Sequence, residues 1–188
     1  MEKKEIRKKI LEERKSLTDV LCREMSQRIQ NRLTSIQPYF NAQRIMVYVS
    51  FGKEVETWDL MCLMIEDDKK VYVPRITGSS LQAIKIDSPE QLIKGSSGLG
   101  VFEPNNSCRN AIVIDQIDLL IVPIVAFDED GGRIGYGRGY YDRYLEGVDK
   151  GKIYGLAFDF QEVDVFEKKS HDIRISTIIT ESRLLIST

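Results

Sequence analysis

"QIDLLIVPIVAFDEDGGRIGYGRGYYDRYL" (116–145) decides how this chain folds. From Leu119 to Phe127 the stretch runs through Leu, Ile, Val, Pro, Ala and Phe without a polar residue. Such a run, Gln116 to Asp128 with its flanks, reads as a strand buried on both faces, at the centre of a sheet covered on both sides. The character then changes. Glycines at 131, 132, 135, 137 and 139 alternate with Arg133, Arg138, Arg143 and tyrosines, leading into a helix expected near 140–147. Glycine loses more backbone freedom on folding than any other residue, so a cluster of it needs a reason. In open α/β sheets ligands bind beyond the carboxyl ends of strands, where loops run into helices, and this segment occupies such a position.

Working outward, strand and helix alternate. Residues 2 to 15 read as a charged helix with Ile6, Ile10 and Leu11 to one side. Ser16 or Thr18 caps a second helix with a stripe of Leu21, Met25, Ile29 and Leu33. Strands are expected at 44–50, 70–76, 82–86, 152–159 and 176–181, and helices at 57–68 and, opened by Ser88 and Pro89, shortly after 88. Residues 95 to 110 read as loop. The pattern predicts an α/β three-layer sandwich: one open, mostly parallel sheet with helices on both faces and Rossmann-like topology, residues 1–188 forming a single domain.

Composition narrows the function. The 188 residues carry 27 basic and 29 acidic side chains, a formal net charge of −2, which argues against nucleic-acid binding by bulk charge. Cys22, Cys62 and Cys108 are widely spaced and form no CxxC pair, so neither a zinc site nor a disulfide framework is expected. Free thiols suit a reducing cytoplasm. No apolar run approaches a membrane span, and the N-terminus lacks the apolar core of a signal peptide. Small-molecule substrates, no nucleic acid or membrane partner, and a monomer in the cytoplasm are the expectations.

The glycines at 135, 137 and 139 let successive N–H groups converge into an anion nest, and the arginines add forked donors suited to phosphate. Asp142 repels a bare phosphate but suits a magnesium ion carried on one. Neither a P-loop nor a GxGxxG fingerprint is present. On these residues alone the segment is a phosphate cradle or a glycine-rich turn with solvated arginines. A sugar-phosphate or CoA-handling enzyme, or a nucleotide binder without turnover, is an alternative reading of the segment.

"VPIVAFDEDGGRIGYGRGYYDRYL" resembles the signature of the 5-formyltetrahydrofolate cyclo-ligase family. So do, in order, Lys3-x-x-x-Arg7, "EVET" at 54–57, "VPR" at 73–75, "GLGVFEP" at 98–104 and "HD" at 171–172 before "IITE". The resemblance implies ATP- and Mg2+-dependent closure of 5-formyltetrahydrofolate to 5,10-methenyltetrahydrofolate, with ADP and phosphate released. It implies ATP contacts from Lys3, Arg7 and the run Arg133, Ile134, Gly135, Tyr136, Gly137, Arg138, Gly139, Tyr140 and Tyr141. Arg133, Arg138 and Tyr140 carry the catalysis in this reading. Val49, Glu54 and Tyr140 hold the folate, and Asp142 and Asp172 the magnesium. Beside these, Glu56 is a weaker folate candidate, His171 a support for Asp172, and Tyr136, Tyr140, Tyr141, Phe102 and Trp58 candidates for stacking on a ring.

Overall fold

The computed structural model describes residues 2–95, 100–170 and 172–187. Its elements in chain order are α1 (Lys3–Lys15), α2 (Asp19–Thr34), α3 (Gln37–Asn41), β1 (Arg44–Val47), α4 (Trp58–Glu66), β2 (Lys70–Thr77) and β3 (Ser80–Ile86). There follow β4 (Leu92–Lys94), β5 (Phe102–Pro104), β6 (Ala111–Ile112), β7 (Leu119–Pro123), β8 (Ala126–Phe127) and β9 (Arg133–Ile134). Last come α5 (Tyr140–Tyr144), β10 (Ile153–Leu156), β11 (Thr177–Ile179) and β12 (Leu184–Ile186).

Eight strands form the main sheet in the order β12-β11-β10-β7-β1-β2-β3-β6. The inner strands β11, β10, β7, β1 and β2 are parallel, and antiparallel β12, β3 and β6 close the edges. Numbered among themselves, the parallel strands lie in the order 2-1-3-4-5, the doubly wound arrangement whose ligand crevice opens between the first and third strands. Here that crevice lies between β1 and β7.

Strand alternation sorts the core into two layers. Ile45, Val47, Val71, Val73, Leu119 and Ile121 face α2, α3 and α4. Met46, Tyr72, Leu120, Val122 and Ile153 face the other side, under Leu145 at the end of α5 and the segment reaching Ile175. A third cluster packs Ile6 and Ile10 of α1 on Val125, Ala126, Ile134 and Phe166. It seats α1 beside the glycine-rich loop.

Several expectations change: the helix expected after 88 is a single 3-10 turn, Pro89–Gln91, and the stretch 95–110, expected as loop, holds β5, which pairs with β4. In α2, Ile29 and Leu33 are buried and Met25 packs on the same core as expected, but Leu21 is exposed and Cys22, Ser26 and Gln30 complete the buried face. A row of every fourth residue drifts about 40° per step around a 3.6-residue helix, so over a little more than three turns its first member, Leu21, leaves the buried face. Thr18 does cap the helix, its side chain accepting from the Leu21 N–H.

The strand expected at 116–128 ends at Pro123 in the main sheet. Gln161 Nε2 donates to the carbonyls of Ile124 (2.7 Å) and Val125 (2.8 Å), replacing a sheet partner. The chain then forms the separate β8–β9 hairpin, which returns Arg133 beneath the carboxyl end of β7.

The helix expected over 140–147 is the single turn of α5. So short a helix contributes little dipole.

The β8–β9 turn is held by Asp128, which is fully buried. Its carboxylate accepts from the Gly132 N–H (2.8 Å) and pairs with Lys168 Nζ (2.7 Å). Asp128→Asn keeps an acceptor for Gly132 but loses the charge pair, so chemical denaturation should show about 2 kcal/mol less stability. A variant as stable as the parent would refute that role.

Candidate active site

A cleft of about 900 Å³ opens at the carboxyl ends of β1, β2 and β7. It is lined by Lys3 and Arg7 from α1, Val49, Phe51 and Glu54 after β1, Pro74 and Ile76 of β2, Arg133 to Arg143, and Asp172. Lys3, Arg7, Val49, Glu54, the run from Arg133 to Tyr141, Asp142 and Asp172, expected from sequence to act together, all reach this one cleft. Phe102 lines it too. Trp58 is absent from the wall; its ring packs edge-on against Phe102 at 5.2 Å and its indole N–H donates to the Ser50 carbonyl. Glu56 also stays outside, its backbone held by Ser26 and Gln30 of α2. His171 and the Gly98-Leu99 start of "GLGVFEP" lie outside the described residues.

The loop takes its path from glycine. Gly137 has φ 92° and Gly139 φ 67°, both in the left-handed region that residues with a Cβ avoid. Gly137 also lies under Arg7: a Cβ there would sit 3.2 Å from Arg7 Cζ. Arg7 Nε donates to the Gly135 carbonyl at 2.7 Å, so α1 clamps the loop from the side.

The three loop arginines have different jobs. Arg143 donates to the Ser79 carbonyl from Nε (3.0 Å) and Nη2 (2.8 Å), and its Nη2 also reaches the Arg138 carbonyl, tying the loop to the β2–β3 turn. Arg133 is buried, with Nη1 on the Pro123 carbonyl (3.1 Å) and Nη2 on Asp142 (3.2 Å). Both are committed to the protein, contrary to the expectation of free phosphate forks. A strand end that leaves carbonyls unpaired recruits the nearest cation. Arg138 is exposed, with its backbone carbonyl engaged by Arg143.

The acids are also engaged. Asp172 pairs with Lys3 and accepts from the Lys169 N–H. Among the described residues no cluster of three or more His, Cys, Asp or Glu side chains could hold a metal. Two carboxylates on one cleft nevertheless fit magnesium, which takes one or two carboxylates and fills its shell with phosphate oxygens and water.

Glu54 is buried at 4% exposure. Its Oε2 accepts from the Phe51 N–H (3.0 Å) and its Oε1 from the Tyr136 hydroxyl (2.6 Å). Burial pushes its pKa up, while the Arg14 charge and these hydrogen bonds hold it down. The Tyr136 hydroxyl in turn accepts from Arg14 Nη2. Sequence reading passed over Arg14, although it lies seven residues after Arg7, on the same helix face.

A profile of the 5-formyltetrahydrofolate cyclo-ligase family matches residues 1–181. The 5-formyltetrahydrofolate cyclo-ligase of Escherichia coli (strain K12) is 30% identical over 180 residues, 93% of this chain and 98% of that protein. That of Mycoplasma pneumoniae is 30% identical over 186 residues, 96% of this chain and 99% of its own. The NMR structure of Aquifex aeolicus 5,10-methenyltetrahydrofolate synthetase superposes with a TM-score of 0.86 at 30% identity, covering 99% of this chain and 93% of that one. Matched over nearly its whole length in sequence and in fold, this chain belongs to the 5-formyltetrahydrofolate cyclo-ligase family.

Proposed function

We propose that this enzyme closes 5-formyltetrahydrofolate to 5,10-methenyltetrahydrofolate at the expense of ATP and with magnesium, as a single-domain monomer in the cytoplasm. One observation carries the reading: side chains from α1, the segment after β1, the glycine-rich loop and the segment around residue 172 converge on one cleft at the β1/β7 crevice. Nucleotide and folate then lie side by side.

The chemistry suits this wall. The formyl oxygen attacks the γ-phosphorus and ADP leaves, giving a phosphorylated carbon–nitrogen centre on N5. N10 then attacks that carbon, the carbon–oxygen bond breaks, phosphate departs and the N10 proton is released. Every nucleophile belongs to the substrate, so the protein's task is positioning and charge stabilisation. The loop amides of Ile134 to Tyr141, with Lys3, Arg7 and Arg138, grip the phosphates. Arg138 and Tyr140 meet the charge that develops during transfer, and Arg133 keeps Asp142 in place. Asp142 and Asp172 would hold magnesium, which when bound would supply positive charge against the phosphate oxygens. Val49, Glu54 and the Tyr140 ring position the folate.

Purified protein mixed with 5-formyltetrahydrofolate and Mg-ATP should develop the methenyl absorbance and release one ADP per product. Folded protein that forms neither would overturn the reading; tight folate binding without ADP would make it a non-catalytic binder. Asp142→Asn should keep the fold and need about tenfold more magnesium for half-maximal rate, a loss of about 1.4 kcal/mol. An unaltered magnesium dependence would remove Asp142 from the metal site.

A further inference from the structure

We propose that Arg14 is a positioning residue for substrate recognition: through the Tyr136 hydroxyl it holds Glu54 as an oriented carboxylate acceptor for the adjacent N–H donors of a pterin-like ring. The proposal rests on the folate reading of Glu54 given above.

Arg14 is buried at 5% exposure and makes no direct ion pair with a carboxylate among the described residues. A buried cation without a direct counter-ion costs stability, so its connections matter. Its Nη2 donates to the Tyr136 hydroxyl oxygen, and its guanidinium lies 5.5 Å from the centre of the Tyr136 ring. A guanidinium can only donate, so the tyrosine oxygen is an acceptor on that side and its own proton points at Glu54. The Phe51 N–H occupies the other carboxylate oxygen at 3.0 Å. Each oxygen of Glu54 thus takes one donor from the protein and keeps acceptor capacity for the cleft that the residue lines. A substrate presenting two neighbouring N–H groups completes the set.

The groups around Glu54 leave Arg14 as the source of positive charge. Tyr48 at the end of β1 and Tyr141 of α5 are held neutral, burial pushing both hydroxyls well up and Glu54 adding to that. The Tyr48 hydroxyl donates to the Val55 carbonyl at 2.8 Å, not to Glu54. Cys22, whose thiol lies 3.5 Å from the Glu54 carbonyl, is likewise pushed up by burial. Tyr136, on the loop, is neutral for the same reason. Burial favours the protonated form of Glu54 and Arg14 opposes it, so removing Arg14 raises the pH at which the acceptor is lost.

Equilibrium titration of 5-formyltetrahydrofolate without ATP, from about pH 5 to about pH 8, tests this independently of turnover. Binding by the parent protein should weaken towards acid, with a midpoint above the ordinary glutamate value of 4.5. Arg14→Gln should move that midpoint up by about one pH unit. Arg14→Lys should keep it near the parent's, and Tyr136→Phe, which leaves the charge but frees the carboxylate, should shift it less while weakening binding about tenfold. ATP affinity should be unchanged in the two Arg14 variants. Should Arg14→Gln fail to fold, Tyr136→Phe decides, because it removes only a hydroxyl. An Arg14→Gln or, in that event, Tyr136→Phe profile that matches the parent's, or an equal loss of ATP and folate affinity in Arg14→Gln, overturns the proposal. Glu54→Gln in the same series separates the two levels: retained folate affinity there sinks the folate reading of Glu54 and the proposal with it. Lost affinity there with unshifted Arg14 and Tyr136 profiles sinks the proposal alone.

Discussion

Gly137→Ala should lower kcat/KM for ATP about a hundredfold, a transition-state loss of about 2.7 kcal/mol. Two effects act together. At φ 92° a residue with a Cβ is strained, typically by about 1–3 kcal/mol. The added methyl also sits 3.2 Å from Arg7 Cζ and 3.3 Å from its Nη2, so Arg7 must move or the loop must take another path. Either response displaces the clamp between Arg7 Nε and the Gly135 carbonyl, on which the direction of the loop amides depends. Misplacing phosphate donors by an ångström removes preorganisation that the reaction cannot recover. Gly147→Ala is the control. Gly147 has φ 78° with nothing within 4 Å of its missing Cβ, so it carries the strain without touching the cleft. It should lose about 1 kcal/mol of stability and keep its KM for ATP. Equal ATP kinetics in the two variants would show that the path of the loop at Gly137 does not serve the nucleotide.

The contrast between these glycines shows how far sequence carries. Hydrophobic runs and their periods were enough for the central parallel strands, because burial on both faces leaves β7 apolar and buried throughout and gives β1 and β2 buried runs of three residues at 45–47 and 71–73. The edge strands β6 and β12 are only two and three residues long and half-exposed, so no period exists to detect. The break after Pro123 depends on Gln161, some forty residues away, and a side chain that replaces a sheet partner leaves no local trace. The site was legible where a short segment holds it together. The loop from Arg133 to Tyr141 announces itself by its glycines, whereas Lys3 and Arg7 stand out only through the family resemblance, since cations four apart on a charged helix otherwise read as a solvated face. Partners across the fold were not legible. That Arg133 and Arg143 spend their donors on Pro123 and Ser79 carbonyls, that the Glu56 backbone is held by Ser26 and Gln30 of α2, or that Arg14 reaches Glu54 through Tyr136, follows from packing between distant segments.

Those commitments of Arg133 lead to a different expectation from that of a phosphate fork. Its side chain is 3% exposed, one terminal nitrogen holds the last carbonyl of β7 and the other holds Asp142. Arg133→Ala removes a buried cation, leaves the Pro123 carbonyl without that donor, and releases a carboxylate that is 23% exposed. Solvent reaches the freed acid, so the cost should fall at the low end for a broken buried pair, about 3 kcal/mol. For a chain of this length that corresponds to a drop in Tm of about 6–12 °C. The kinetic defect should appear as a higher magnesium requirement, since Asp142 loses its anchor, with a smaller effect on KM for ATP at saturating magnesium. Arg133→Lys should recover part of the stability, because an ammonium keeps the charge but cannot reach two acceptors with a fixed fork. Thermal unfolding and magnesium titration together decide the matter. A variant with unchanged Tm and a raised KM for ATP would make Arg133 a direct phosphate ligand, and the strut between β7 and Asp142 would be incidental.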